Sequence, residues 1–139
     1  MKVLFDTNVV LDLLIDRQPF AEAAARLFAA VEAGTISASL CGTTLTTIHY
    51  LVAKALDAER ARQAVAQLLT LFDVAPITRP VLEAALESGF TDFEDAVLYQ
   101  AARHAGAQAI VTRNVRDFKS AQLSVYTPEE LLKVLAAQG

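Results

Sequence analysis

Three aspartates of this chain stand beside short apolar runs, where side chains can reach a common edge. Asp6 follows Val3-Leu4-Phe5, Asp95 belongs to Thr91-Asp92-Phe93-Glu94-Asp95, and Asp117 lies just beyond Ala109-Ile110-Val111-Thr112. Carboxylates brought together repel one another unless something cationic lies between them. The natural occupant is a hard divalent cation, Mg2+ or Mn2+, which takes oxygen ligands and keeps several waters. Such an ion can make a nucleophile from water and stabilise in-line attack on a phosphodiester.

Each acid also has a plainer reading. Thr91 with Glu94 has the form of a capping box, and acids in a first helical turn are favoured by the helix dipole. Asn114 with Asp117 reads as another cap, and Asp6 could end a strand and cap a short helix after it. Taken singly, each acid fits a cap; taken jointly at one edge, Asp6, Asp95 and Asp117 fit a metal site better. Glu94 is assigned to the cap, because neighbouring helical positions point about 100° apart and Asp95 already faces the site. His49 is expected to be a partly buried structural residue and Cys41 a small core residue. Arg113, Arg116 and Lys119 surround Asp117, either as a solvated loop or as phosphate contacts.

The elements that must position these residues alternate along the chain. Val3–Phe5, Ile36–Leu40, Val74–Ile77, Ala109–Thr112 and Leu123–Tyr126 read as strands. Helical patterns cover Phe20–Glu32, Thr44–Ala55, Ala58–Leu71 capped by Asp57, Pro80–Leu86, Phe93–Ala105 and Pro128–Ala137. Gly34 and Gly106 are placed to end two of them. This alternation predicts a parallel sheet covered by helices on both faces. In such sheets ligands bind beyond the carboxyl ends of the strands, where the strand order reverses. If the first and fourth strands are neighbours, Asp6, Asp95 and Asp117 meet there.

Composition bounds the rest. The 139 residues make one domain, 1–139, by size. Hydrophobic residues are 54% and charged residues 20%, which excludes a disordered chain. Alanine supplies 26 of the hydrophobic residues, which favours helix. One cysteine and two histidines exclude an internal disulfide and argue against a Cys- or His-rich metal site. The net charge of -4 is unlike that of a dedicated nucleic-acid binder, although residues 100–139 carry 5 basic and 3 acidic side chains. Ala33–Ala53 has no charged residue, yet ten of its 21 residues are Gly, Ser, Thr or His, so it is not a membrane span. The apolar run after Met1 is too short for a signal peptide, and a cytoplasmic protein is expected.

Val3-Leu4-Phe5-Asp6-Thr7-Asn8, Asp92-Phe93-Glu94-Asp95-Ala96 and Ile110-Val111-Thr112-Arg113-Asn114 with Asp117-Phe118 together resemble the PIN-domain family, over essentially the whole chain. The resemblance implies an α/β fold, a three-layer α/β/α sandwich with a five-stranded parallel sheet. It also implies a Mg2+- or Mn2+-dependent ribonuclease, often a VapC-type toxin paired with an antitoxin and forming homodimers. The family's first, third and fourth acids fall on Asp6, Asp95 and Asp117, and its Asn and Thr on Asn8 and Thr112. Asn114 would join Asn8 and Thr112 in orienting the carboxylates, and Arg113 would contact substrate phosphate. One position departs: where relatives carry a glutamate, this chain has Thr47, and no acid lies in Thr43–Tyr50. Asp92 is then the extra acid that could supply the missing metal ligand.

The leading expectation is a metal-dependent endoribonuclease acting on RNA, with an antitoxin as partner. The alternative is a catalytically weak or inactive PIN-fold module that binds nucleic acid or protein. An aspartate-nucleophile phosphatase is disfavoured, because that chemistry needs an acid two residues after the first Asp, where this chain has Asn8.

Overall fold

The computed structural model describes residues 1–138. In chain order the elements are β1 (Lys2–Phe5), α1 (Thr7–Leu14), α2 (Ala21–Glu32), β2 (Ser37–Cys41), α3 (Gly42–Ala55), α4 (Ala58–Leu71), β3 (Asp73–Ala75), α5 (Arg79–Leu86), α6 (Phe93–His104), β4 (Ala109–Val111), a 3-10 turn (Val115–Phe118), β5 (Ser124–Tyr126) and α7 (Pro128–Gln138). The five strands form one parallel sheet in the order β3-β2-β1-β4-β5. The expected α/β/α layering is what the structure shows.

β1 lies at the centre and is buried on both faces, which is why Val3-Leu4-Phe5 is continuously apolar rather than alternating. Val3 and Phe5 face one core with Ala38, Leu40, Ala109 and Val111; α1–α4 and α7 cover it. Phe5, Phe28 and Phe72 meet there edge to face, with ring centroids 5.2–6.0 Å apart. Leu4 and Ile110 face the opposite core, covered by α5 and α6. In that core Phe90 contacts Phe118 at 5.8 Å, and Phe118 is 2% exposed, so the turn carrying Asp117 is anchored from below.

Local signals account for most boundaries. Asp57 caps α4, accepting from the Arg60 N–H at 2.7 Å. Gly34 follows α2 at φ +80°, a left-handed conformation that glycine adopts without a Cβ clash. β3 ends two residues earlier than the sequence pattern suggests: its last residue, Ala75, lies opposite Cys41, where the partner strand β2 itself ends and turns into α3. His49 is exposed, not partly buried: Thr44, Ile48 and Val52 form the buried stripe of α3, and His49 lies one position off it. Cys41 is fully buried in the core, as expected. Among the described residues no helix is long and apolar enough to cross a membrane.

Candidate active site

The strand order reverses between β1 and β4, and the two are paired in parallel with Phe5 opposite Val111. Their next residues, Asp6 and Thr112, therefore emerge side by side at the carboxyl edge. The Asp6 N–H donates to the Val111 carbonyl at 2.9 Å, extending the ladder by one step. The Thr112 hydroxyl donates to Asp6 Oδ2 at 2.8 Å, and the Thr7 backbone N–H donates to Asp6 Oδ1 at 2.7 Å. Asp6 is thus both the N-cap of α1 and a carboxylate facing the crevice. Asn8 Nδ2 lies 3.4 Å from both Asp6 Oδ2 and Thr112 Oγ1, while its Oδ1 accepts the Arg113 N–H at 3.2 Å. Thr112 Oγ1 in turn accepts the Asn114 N–H at 3.0 Å. These bonds set the carboxylate plane of Asp6 from three sides.

A cleft of about 310 Å³ opens above this pair. Asp6, Glu94 and Asp95 are its acids; Arg17, Arg113 and Asn114 line it too, and α3 lends Thr43, Thr44 and Thr47. Thr7 and Thr44 hydroxyls are 2.9 Å apart, tying α1 to α3 beneath it. Thr47 therefore faces the site, offering a neutral oxygen.

The first turn of α6 differs from the capping expected of the sequence. Asp92, not Thr91, is the N-cap, its Oδ1 accepting the Asp95 N–H at 3.0 Å. Asp92 is exposed and does not line the cleft. Glu94 does line it, against the expectation that it faces away. The reason is that Cα–Cβ bonds tilt toward a helix's N-terminus, so two neighbouring residues of a first turn can both look over the helix end. Asp117 is exposed on the 3-10 turn outside the lining, close enough for its charge to act on Asp6 and Asp95. Asn114 precedes that turn without a side-chain capping bond.

Burial first, and neighbouring acids after it, set the electrostatics of the site. Burial raises the Asp6 carboxyl above its ordinary value; hydrogen bonds from Thr112 and Thr7 oppose this, and the charges of Asp117 and Glu94 add to it. Asp95 is raised to about 6, first by burial, then by the charges of Asp92, Asp6, Asp117 and Glu94. Among the described residues no three Asp, Glu, His or Cys side chains close into a metal cage. The donor chemistry nonetheless fits a hard divalent cation: the acids offer only oxygen, they repel one another, and the open cleft leaves room for retained water.

Asp12 and Arg17, at the cleft, were not singled out by the sequence. Asp12 of α1 is completely buried, and Arg17 and Arg113 both bond to it. A single acid inside Val9-Val10-Leu11-Asp12-Leu13-Leu14-Ile15 was the available signal, since an unpaired charge in a buried run is too costly to persist.

Residues 2–116 match the family model of the PIN domain. Ribonuclease VapC1 of Aquifex aeolicus (strain VF5) is 26% identical over 137 residues, covering 93% of this chain and 92% of that protein. Among solved structures, VapBC2 from Rickettsia felis, bound to a DNA fragment from its promoter, superposes with a TM-score of 0.70 at 15% identity, over 90% of this chain and 97% of that one. A toxin–antitoxin complex from Klebsiella pneumoniae gives 0.69 at 25% identity, over 91% and 97%. With the family model spanning most of its length, and the strand order and acid-lined switch point in place, this chain belongs to the PIN domain family.

Proposed function

We propose that this protein is a metal-dependent endoribonuclease, the toxin of a toxin–antitoxin pair. The observation that carries the reading is the buried, hydrogen-bonded Asp6 at the β1–β4 switch point, sharing one cleft with Asp95 and Glu94. The similarity to a protein named a ribonuclease supports the substrate class. The similarity to a toxin–antitoxin complex supports a protein antitoxin as partner. A homodimer and a cytoplasmic setting belong to the same reading.

Asp6, Asp95 and Asp117 would hold Mg2+ or Mn2+, directly or through water, and serve as the catalytic acids. When bound, the ion supplies positive charge that activates water and stabilises the phosphorane-like transition state. The chain's own contribution is orientation. Thr112, Thr7 and Asn8 fix the Asp6 carboxylate, leaving its orientation independent of solvent. Asp92 acts through Asp95: it holds the helix start, and its charge adds to burial in raising the Asp95 carboxyl, which a nearby cation would offset. Asn114 and Thr47 supply neutral oxygens at the rim.

A second reading, a PIN-fold binding module with weak or no cleavage, is favoured by one feature: Thr47 brings no charge into the cleft. One experiment separates the two. Purified protein is incubated with structured and unstructured RNA in Mn2+ and in EDTA, beside Asp6→Asn. Cleavage that needs Mn2+ and disappears in the variant is expected. RNA binding without Mn2+-dependent cleavage would favour the binding module, and cleavage undiminished in the variant would refute the site assignment.

A further inference from the structure

The side chain of Asp12 is 1% exposed, and its carboxylate carries two guanidinium groups. Arg17 Nε donates to Oδ1 at 2.9 Å. Arg113 Nε donates to Oδ2 at 2.8 Å and its Nη2 to Oδ1 at 3.2 Å, a two-pronged grip. One arginine would satisfy the acid. The second leaves a surplus positive charge, and both arginines line the cleft that holds Asp6 and Asp95.

Their placement is built, not incidental. Just beyond α1 and its C-cap Ile15, Asp16 lies in the left-handed region at φ +48°. The Arg17 N–H then returns to the Asp12 carbonyl at 2.9 Å and the Asp16 N–H to the Leu13 carbonyl at 3.2 Å, the paired bonds of a Schellman ending. That turn delivers Arg17 to Asp12, and Arg17 Nη2 also donates to the Asn8 carbonyl at 3.1 Å. Arg113 follows Thr112 directly, so the strand that positions the Asp6 partner also positions this cation. Its guanidinium lies 3.9 Å from the centre of the Phe20 ring, which fixes its plane. Among the described residues neither Nη1 makes a hydrogen bond to protein. Both side chains remain partly open to solvent, at 37% for Arg17 and 26% for Arg113.

We propose that Asp12 holds Arg17 and Arg113 as a cradle for a backbone phosphate of the RNA strand, next to the phosphodiester that meets the acids. This rests on the nuclease reading above and adds the means by which an acidic cleft grips a polyanion. Planar guanidinium forks match phosphate oxygens, and fixing them beforehand removes their ordering cost on binding. Asp12 is a positioning residue: it touches no substrate and acts through the two arginines.

The test is fluorescence anisotropy of a labelled single-stranded RNA across a potassium chloride series, with the full chain in EDTA and again with Ca2+. Arg17→Gln and Arg113→Gln should each weaken binding about 5–10-fold and flatten the salt dependence by about one unit of slope. Arg17→Lys, which keeps the charge but loses the fork, should restore less than half of the loss. Asp12→Asn is the discriminating variant, because it raises the net charge by one. Diffuse positive charge alone would make it bind tighter; a cradle that has lost its anchor binds more weakly. If that variant fails to fold by circular dichroism, Arg17→Lys decides: binding restored to the wild-type level overturns the cradle in favour of diffuse charge. Wild-type binding with both glutamine variants unchanged overturns the cradle and leaves the nuclease reading standing. No RNA binding by the wild type in either buffer overturns both.

Discussion

Asp6 and Asp12 lie within six residues of each other, and both residues are buried, at 8% and 0% exposure. Their surroundings are opposite. Asp6 is held by neutral donors, a threonine hydroxyl and a backbone N–H, and it looks toward other acids. Asp12 is held by two guanidinium groups. An acid satisfied by neutral donors keeps its charge unbalanced and is ready for a cation. An acid clamped by arginines is already balanced, and its remaining use is to hold those arginines still. One cleft thus has a cation-seeking wall and an anion-seeking wall, both rooted in the first turns after β1.

The largest expected effect breaks the cation-seeking wall. Asp6→Asn and Asp95→Asn should each lower Mn2+-dependent RNA cleavage about a thousandfold, roughly 4 kcal/mol of barrier. Gel-resolved initial rates at saturating Mn2+ give the comparison, and a loss under about tenfold would mean that these acids are not central.

Next comes the clamped acid. Asp12→Ala should destabilise the fold by about 3 kcal/mol, the low end for breaking a buried pair, because both arginines can partly rehydrate. Urea unfolding followed by circular dichroism measures it. A change within about 0.5 kcal/mol, the range of ordinary surface substitutions, would contradict the buried clamp.

The pH dependence of the metal-free protein sharpens the contrast further. The folded carboxyl of Asp95 sits at about 6 against an ordinary 3.8. Between those values the folded chain keeps a proton that the unfolded chain has lost, so this group's contribution to stability falls as pH rises. Above about 6 the cost is fully present, and below the ordinary value it is absent. In EDTA, Asp95→Asn should therefore lose part of the fall in unfolding free energy between pH 4 and pH 6.5 that the wild type shows. Parallel curves for the two proteins would count against a raised Asp95 carboxyl in the fold.

Smaller effects follow at the rim. Glu94→Gln should slow cleavage about fivefold, less than Asp95→Asn, because Glu94 lines the cleft from an exposed position. An unchanged rate would return Glu94 to a purely helical role. Thr47→Glu should tighten Mn2+ binding about threefold by calorimetry, since it adds a carboxylate to a face of α3 that now offers only hydroxyls. Weaker binding would show that Thr47 does not look at the ion.

Much of this was legible along the chain because it depends on near neighbours. The apolar run before Asp6, the cap at Asp57 and the glycines at 34 and 106 are local signals, and the elements follow them closely. The strand-end position of Asp6, Thr112 and Asn114 was equally local, and the parallel order made them neighbours. Glu94 was misjudged because a helical wheel describes a helix interior, whereas this residue sits on a first turn whose end opens on the site.

By itself the sequence determined an alternating α/β chain, the acids placed after its strands and at a helix start, and the motif pattern of the PIN family. Only the tertiary structure decided what each acid faces. Arg17 reaches Asp12 across five residues and Arg113 across 101, and nothing in the local sequence of Asp12 announces the second partner. The physical reason is that helix and strand formation answer to bonds within a few residues. A carboxylate's charge state and use answer instead to burial and to whichever charges the fold brings within a few ångströms.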